Sequence, residues 1–104
     1  MIIQINTDKT LTGEKRSGDF FTSQIAEALK RFESHITRIE VHLKDENGKK
    51  DGFNDISCLL EARLEGRQPI AITNQADTID LAVTGAIDKI KTAIETILGK
   101  IQKH

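Results

Sequence analysis

Few side chains in this chain have the type and spacing that catalysis or metal binding requires. The histidines His35, His42 and His104 are predicted to lie in a turn, on a strand surface and at the terminus, and no pair has the spacing of a zinc site. Exposed histidines are the favoured interpretation. The single cysteine, Cys58, excludes an internal disulfide and a cysteine zinc site. It alternates with Leu60 on a predicted inner strand face, which favours a small buried hydrophobic residue over a nucleophile.

Acidic and amide residues surround glycines in residues 45–55, as they do in a calcium-binding loop. Their spacing does not fit that site, because Lys49 and Lys50 stand where a further ligand and the obligatory glycine should fall. Gly48 and Gly52 are isolated and no helix follows them, so they do not form a phosphate-binding loop. A solvated hairpin loop is the favoured interpretation. With no acid pair, triad or metal cluster in the sequence, we expect no catalysis, no cofactor and no metal.

The composition indicates a single domain spanning residues 1–104 with an aliphatic core. The chain is 38% hydrophobic and 30% charged, with 4 Phe and no Trp or Tyr. Since 15 basic and 16 acidic residues give a net charge of −1, the total charge attracts neither DNA nor an acidic membrane. The sequence shows no basic-then-apolar N-terminal signal and no apolar run near the roughly 20 residues that span a bilayer. We therefore expect a cytoplasmic, reduced protein with no membrane or DNA partner.

Alternating apolar and polar residues predict four strands. In the second strand Ile39, Val41 and Leu43 face one way, and the charged residues between them face the other. The third strand repeats this pattern, with Cys58 and Leu60 on its inner face. The strands are predicted at residues 2–6, 36–44, 56–65 and 70–74.

Apolar residues at spacings of three and four predict two helices. The first runs over residues 19–34 and follows a polar loop at residues 7–18, and the second runs over residues 77–104. The candidate N-caps are Ser17 or Asp19 for the first helix and Asp77 or Thr78 for the second.

These elements predict an α+β fold in the order β-α-β-β-β-α, with a four-stranded sheet and two helices packed on one face. Short connections should make strands two, three and four an antiparallel meander. The helical crossover makes the first strand parallel to the second if the two are neighbours. The opposite face of the sheet is predicted to be charged and wet. A sheet edge could also pair with a second copy in a weak homodimer.

Basic residues lie on the predicted outer sheet face and on both predicted helices. On the sheet, Arg38, Lys44 and Arg63 alternate with glutamates, and cross-strand ion pairs account for that arrangement without a ligand. The last turns of the second helix are basic only, which also complements the negative end of a helix dipole. From charge alone, a solubilising helix is therefore favoured over an RNA-binding one. The cations assigned to helices are Lys30, Arg31, Lys89, Lys91, Lys100 and Lys103.

Several phrases, in their order and spacing, resemble the ribosome-hibernation family, also described as sigma-factor modulation proteins, protein Y or ribosome-associated inhibitors. The first is the opening strand Ile3-Gln4-Ile5-Asn6. The second is Ala28-Leu29-Lys30-Arg31-Phe32 leading into Ile36-Thr37-Arg38-Ile39-Glu40-Val41-His42-Leu43, and the third is Ala86-Ile87-Asp88-Lys89-Ile90. The resemblance covers essentially the whole chain.

The resemblance implies a fold akin to double-stranded-RNA-binding domains and a place in the decoding region of the small ribosomal subunit. Members block translation and protect idle ribosomes in stationary phase or stress, and by that analogy the chain belongs with the short members. The sequence departs from the family at Thr92, Glu95 and Thr96, where more Lys or Arg is expected. Fewer cations neutralise fewer phosphates, so we expect weaker, more salt-sensitive attachment.

Two functional hypotheses follow. In the first, the protein is a non-catalytic factor on the small subunit, and its cations make positioning contacts to rRNA phosphates. In the second, the same fold is a protein-binding module that uses Leu59 on the outer sheet face, or the loop at 45–55. The predicted RNA contacts are Lys30, Arg31, Lys89, Lys91, Lys100 and Lys103, with Arg38, Arg63 and Arg67 as secondary candidates.

Overall fold

The computed structural model describes residues 1–7, 15–45 and 56–102, with the backbone alone at 15–19 and 100–102. The predicted loop at 46–55, Lys103 and His104 lie outside these residues. Within them, the elements follow the predicted order β-α-β-β-β-α. They are β1 (Ile2–Thr7), α1 (Lys15–Ala28), β2 (Ile36–Asp45), β3 (Ile56–Leu64), β4 (Ile70–Ala76) and α2 (Ile79–Gln102).

The four strands form one mixed sheet in the order β1-β2-β3-β4. β1 pairs with β2 in parallel, and the pairs β2–β3 and β3–β4 are antiparallel. The meander and the parallel first strand are therefore confirmed. The turn between β3 and β4 places Gly66 at a φ of 74°, and the Arg67 N–H donates to the Leu64 carbonyl oxygen at 3.2 Å. A glycine suits this position because L side chains rarely adopt positive φ.

A β-bulge at Thr37 sets the phase of β2. The register pairs Ile36 with Leu64 and then Arg38 with Arg63, so Thr37 is the extra residue. Its hydroxyl donates to the Arg63 carbonyl oxygen at 3.2 Å. Beyond the bulge, Arg38 begins the alternation that continues to the end of β2.

The inner face of the sheet and both helices share one aliphatic core. The predicted inward residues Ile39, Val41, Cys58 and Leu60 are fully buried. Val83 on α2 is also fully buried. The other buried side chains of this helix lie at spacings of three and four residues along it. The other fully buried large side chains are Phe21, Ile25, Leu29, Ile90 and Ile94.

The first helix differs from its prediction at both ends. It begins at Lys15, so residues 15–18 are helical rather than loop, and neither Ser17 nor Asp19 is the N-cap. These residues are polar or Gly, so they carry none of the apolar periodicity on which the prediction rests. The α-helix ends at Ala28, and a 3₁₀ turn at Lys30–Phe32 continues its apolar stripe to the buried Phe32. Lys30 and Arg31 thus lie in this turn rather than in α1.

The second helix is capped by one of its two predicted candidates. The Leu81 N–H donates to the Thr78 hydroxyl oxygen at 3.1 Å, and the Ala82 N–H donates to the Thr78 carbonyl oxygen at 2.9 Å. Further along, Gly85 lies against the side-chain amide of Asn74 on β4, so close that a Cβ there would overlap it. The Asn74 amide nitrogen in turn donates to the Ala82 carbonyl oxygen at 3.1 Å. This contact fixes α2 tightly on the sheet.

Candidate nucleic-acid interface

Arg38 and Arg63 lie on the outer face, the side of the sheet away from the helices that carries Glu40 and Glu61. The register sets Arg38 opposite Arg63 and Glu40 opposite Glu61. Arg38 Nε lies 2.7 Å from Glu40 Oε2, and Arg63 Nε lies 3.6 Å from Glu61 Oε1. These two ion pairs therefore run along their strands, and the predicted cross-strand ion pairs are wrong for Arg38 and Arg63. The register explains the difference, because it sets like charges directly opposite each other and leaves an opposite charge two residues along the same strand.

The Arg38 guanidinium is further engaged by the Gln4 side-chain oxygen on β1. The hydrogen bond from Arg38 is the main cause that lowers the pKa of Glu40 below its usual value, and the positive charges of Arg63 and His42 act in the same direction. Burial opposes them. The outer face is thus a network of matched charges in which Arg38 already has partners.

Arg31 is held differently. Its guanidinium lies 4.6 Å from the centre of the Phe32 ring and forms an ion pair with Glu95 of α2. The pair joins the 3₁₀ turn to the helix layer, and both side chains remain about half exposed. Glu95, one of the departures from the expected basic pattern, is therefore the residue that neutralises Arg31.

The lysines of α2 do not share one side of the helix. Lys89 Nζ donates to the Thr73 carbonyl oxygen on the edge strand β4 at 3.0 Å. Two residues correspond to about 200° of helical rotation, so Lys91 lies toward the opposite flank, where it is half-buried. The side chain of Lys100 is not described, and Lys103 lies outside the described residues.

Lys30, Arg31 and Arg67 lie near one end of the sheet, which we call the turn end. There β2 begins, β3 ends and β4 begins, and the C-terminal half of α2 returns over them. The Glu65 N–H donates to the His35 carbonyl oxygen at 2.9 Å, which ties the start of β2 to the end of β3. The structure therefore brings three predicted cations toward one end, while Arg38 and Arg63 face away from the helices.

Two surface clefts flank α2 at the turn end. One, of about 410 Å³, is lined by Arg31, Phe32, His35, Glu95, Leu98 and Gly99. The other, of about 780 Å³, is lined by Gly66, Arg67, Gln68, Pro69 and Ile97. His35 and Leu98 were not predicted to line a cleft, because residues far apart in the chain meet there only through packing. In the sequence, the strongest signal for the cleft residues is the spacing of apolar residues on α2.

The remaining chemical candidates give no site among the described residues. Cys58 is buried, and its burial raises the pKa of the thiol to about 12, so it stays protonated at neutral pH. The predicted small buried residue is confirmed. In the described part of the chain, no three His, Cys, Asp or Glu side chains are grouped closely enough to hold a metal ion. Nor does any described helix combine the length and apolar character needed to cross a bilayer.

The chain was compared with known families, curated proteins and solved structures. A family model described as sigma 54 modulation protein / S30EA ribosomal protein matches residues 4–102. No curated protein matches significantly. The Protein Y N-terminal domain from Thermus thermophilus superposes with a TM-score of 0.69 at 14% identity, over 93% of this chain and 99% of that one. A ribosomal subunit interface protein from Coxiella burnetii gives a TM-score of 0.70 at 13% identity, over 95% and 99%.

Proposed function

The chain belongs to the sigma 54 modulation protein / S30EA ribosomal protein family, and we propose that it is a non-catalytic factor that binds the small ribosomal subunit. The observation that supports this most is the family match over residues 4–102, which confirms the resemblance seen in the sequence. The sheet and helices of the two similar structures support the same fold. In this proposal the protein inhibits translation or protects idle ribosomes under stress.

The proposed mechanism is steric and electrostatic. A rigid domain with a tightly packed aliphatic core occupies the channel that mRNA and tRNA use, so no bond needs to be made or broken. Contacts to rRNA phosphates position the domain without reading base sequence. The buried, protonated Cys58 and the charge-matched outer face contribute no reactive group to this mechanism.

We rank the proposed RNA contacts by how available each cation is. Lys30 and Arg67 come first because they lie exposed near the turn end. Arg31 lies exposed there too, but it must first leave Glu95. Lys89 must leave the Thr73 carbonyl oxygen before it can reach a phosphate, and Arg38 must leave Glu40. Arg63, a secondary candidate, must likewise leave Glu61. The proposed contacts for which no side-chain partner is described are Lys91, Lys100 and Lys103.

Co-sedimentation with purified small subunits across a salt series tests the proposal. We expect binding at low salt and a steep loss as salt rises, because each phosphate contact releases counterions. The triple variant Lys30→Ala, Arg31→Ala, Arg67→Ala should flatten the slope of log affinity against log salt by about 1 for each lost contact. The control Arg38→Ala, Arg63→Ala removes two cations from the charge-matched face and should change the slope by clearly less than about 1 for each removed cation. A wild-type protein that stays in the supernatant at low salt would refute ribosome binding.

Two exposed apolar side chains on the outer face favour a second candidate function, a protein-binding module. Ile2 and Leu59 are 60% and 37% exposed beside the matched charges of Arg38 and Glu40. Paired charges around apolar groups suit a protein surface better than an RNA backbone. Pull-down after RNase treatment distinguishes the two functions. If the treated sample still yields a non-ribosomal partner and Leu59→Ser abolishes that recovery, the protein-binding function is supported. Loss of every partner after RNase treatment supports RNA binding.

A further inference from the structure

The cleft of about 410 Å³ at the turn end combines features that suit a phosphate group of RNA. Arg31, His35 and Glu95 line it together with the apolar Phe32 and Leu98. The Arg31 guanidinium lies over the Phe32 ring, which limits its orientations. A guanidinium in this position presents the N–H donors along its planar edge to an anion that offers two oxygens.

In the free protein that anion is the Glu95 carboxylate. It forms an ion pair with Arg31, and both groups lie on the wall of the same cleft. A carboxylate and a phosphate present a similar pair of oxygens to a guanidinium, so the two compete for the same donors. Because the pair is about half exposed, solvent weakens it. Replacing the Glu95 carboxylate with another anion therefore costs little free energy.

We propose that this cleft is a binding site for an RNA phosphate, in which Glu95 holds Arg31 ready and is displaced when the phosphate enters. Binding passes the guanidinium from the carboxylate to the phosphate, and no covalent bond changes. The exposed His35 can add a second N–H donor from the start of β2. Gly99 also lines the cleft, and it adds no side chain there.

This inference rests on the proposed function, and it predicts that removing an acid at position 95 does more than change the net charge. Asp88 is the matched control because it lies exposed on the same helix, two turns before Glu95 and about 10 Å away along the axis. That separation slightly exceeds a Debye length of about 8 Å at physiological salt, so Asp88 acts on a phosphate in the cleft more weakly than Glu95 does, and Asp88→Asn controls for the loss of one acid from the helix.

The test measures affinity for purified small subunits by co-sedimentation, for Glu95→Gln and Asp88→Asn in both the wild-type and the Arg31→Ala background. We expect Glu95→Gln to bind about two- to fivefold more tightly than Asp88→Asn, the range that corresponds to release of one exposed ion pair. In the Arg31→Ala background the advantage of Glu95→Gln should shrink, because Glu95 then has no guanidinium to hold and only its direct repulsion of the phosphate remains. Thermal melting of each variant checks that all four are folded.

Equal affinities for Glu95→Gln and Asp88→Asn in the wild-type background would overturn the competition between Glu95 and phosphate. So would an advantage of Glu95→Gln that is undiminished after Arg31→Ala. In either case the wild type still binds the subunit, so the proposed function stands. Failure of every folded variant to bind would overturn the proposed function and this site with it.

Discussion

The two faces of the sheet hold charge in different ways. On the outer face, each arginine has its carboxylate two residues along the same strand, as in Arg38–Glu40 and Arg63–Glu61. On the helix side the strands are apolar. The cation there, Arg31 of the 3₁₀ turn, pairs with Glu95 of α2, an element far away in the sequence. Alternation within a strand fixes the first kind of pair, whereas packing of α2 on the 3₁₀ turn fixes the second. The Arg31–Glu95 pair is also the more exposed, so it is the easier one for a ligand to separate.

Two neighbouring leucines on β3 give the largest expected difference between the two faces of the sheet. Leu60 is fully buried on the inner face, whereas Leu59 is 37% exposed on the outer face. We expect Leu60→Ala to lower the free energy of unfolding by about 2–5 kcal/mol, because it removes buried apolar atoms and leaves a cavity. Leu59→Ala should cost below about 1 kcal/mol, since much of its side chain is already in water. Urea unfolding of both variants measures the difference. Equal losses would show that the outer face is as important to the fold as the core.

A pair of glycines on α2 sharpens the comparison at the contact between helix and sheet. An alanine Cβ at Gly85 overlaps the Asn74 amide, so the side chain or the helix must move and the hydrogen bond to Ala82 weakens. We expect Gly85→Ala to destabilise the protein by about 1–3 kcal/mol, the usual cost of overpacking.

Gly99→Ala is the matched control on the same helix. Its Cβ meets no protein atom within 4 Å, so the better helix propensity of alanine should stabilise the protein by up to about 1 kcal/mol. Thermal melting compares the two variants. A Gly85→Ala protein that melts at or above the wild-type temperature would show that moving Asn74 costs no more than the helix propensity of alanine adds.

The sequence predicted the two faces well because alternation in a strand is a local property. Ile39, Val41 and Leu43 are buried as expected, and the strand order follows from the short connections. The bulge at Thr37 was not predicted, although the spacing of three residues between the buried Ile36 and Ile39 breaks the alternation there. The start of α1 was not predicted either, because residues 15–18 contain no apolar residue that could extend the stripe.

The candidate site was less predictable. The sequence contains both Arg31 and Glu95, but their ion pair depends on where α2 crosses the 3₁₀ turn. By contrast, the divergence of Lys89 and Lys91 could have been read from the sequence, because residues two apart on a helix point in different directions. Grouping all lysines of α2 into one RNA-binding surface ignored that geometry.

The smallest expected effect concerns the charge network of the outer face. It appears in how the stability of the protein depends on pH. The lowered pKa of Glu40 means that folding favours its carboxylate, chiefly through the hydrogen bond from Arg38. This contribution is fully present above the usual value of 4.5 and is lost as the pH falls through the lowered pKa. Glu40→Gln removes the titrating group. We therefore expect its urea midpoint to lie slightly below that of the wild type at pH 7.

The gap between the two midpoints should close as the pH falls from about 5 toward 3, because the wild-type carboxylate then becomes protonated and loses its attraction to Arg38. Glu33→Gln, a change in the exposed turn before β2, controls for the general effect of removing one acid. If the network of Arg38, Glu40 and Arg63 acts as a unit, the gap for Glu40→Gln depends more steeply on pH than the gap for Glu33→Gln. Two gaps that change in parallel would mean that the outer face holds its charges no more firmly than an ordinary exposed turn.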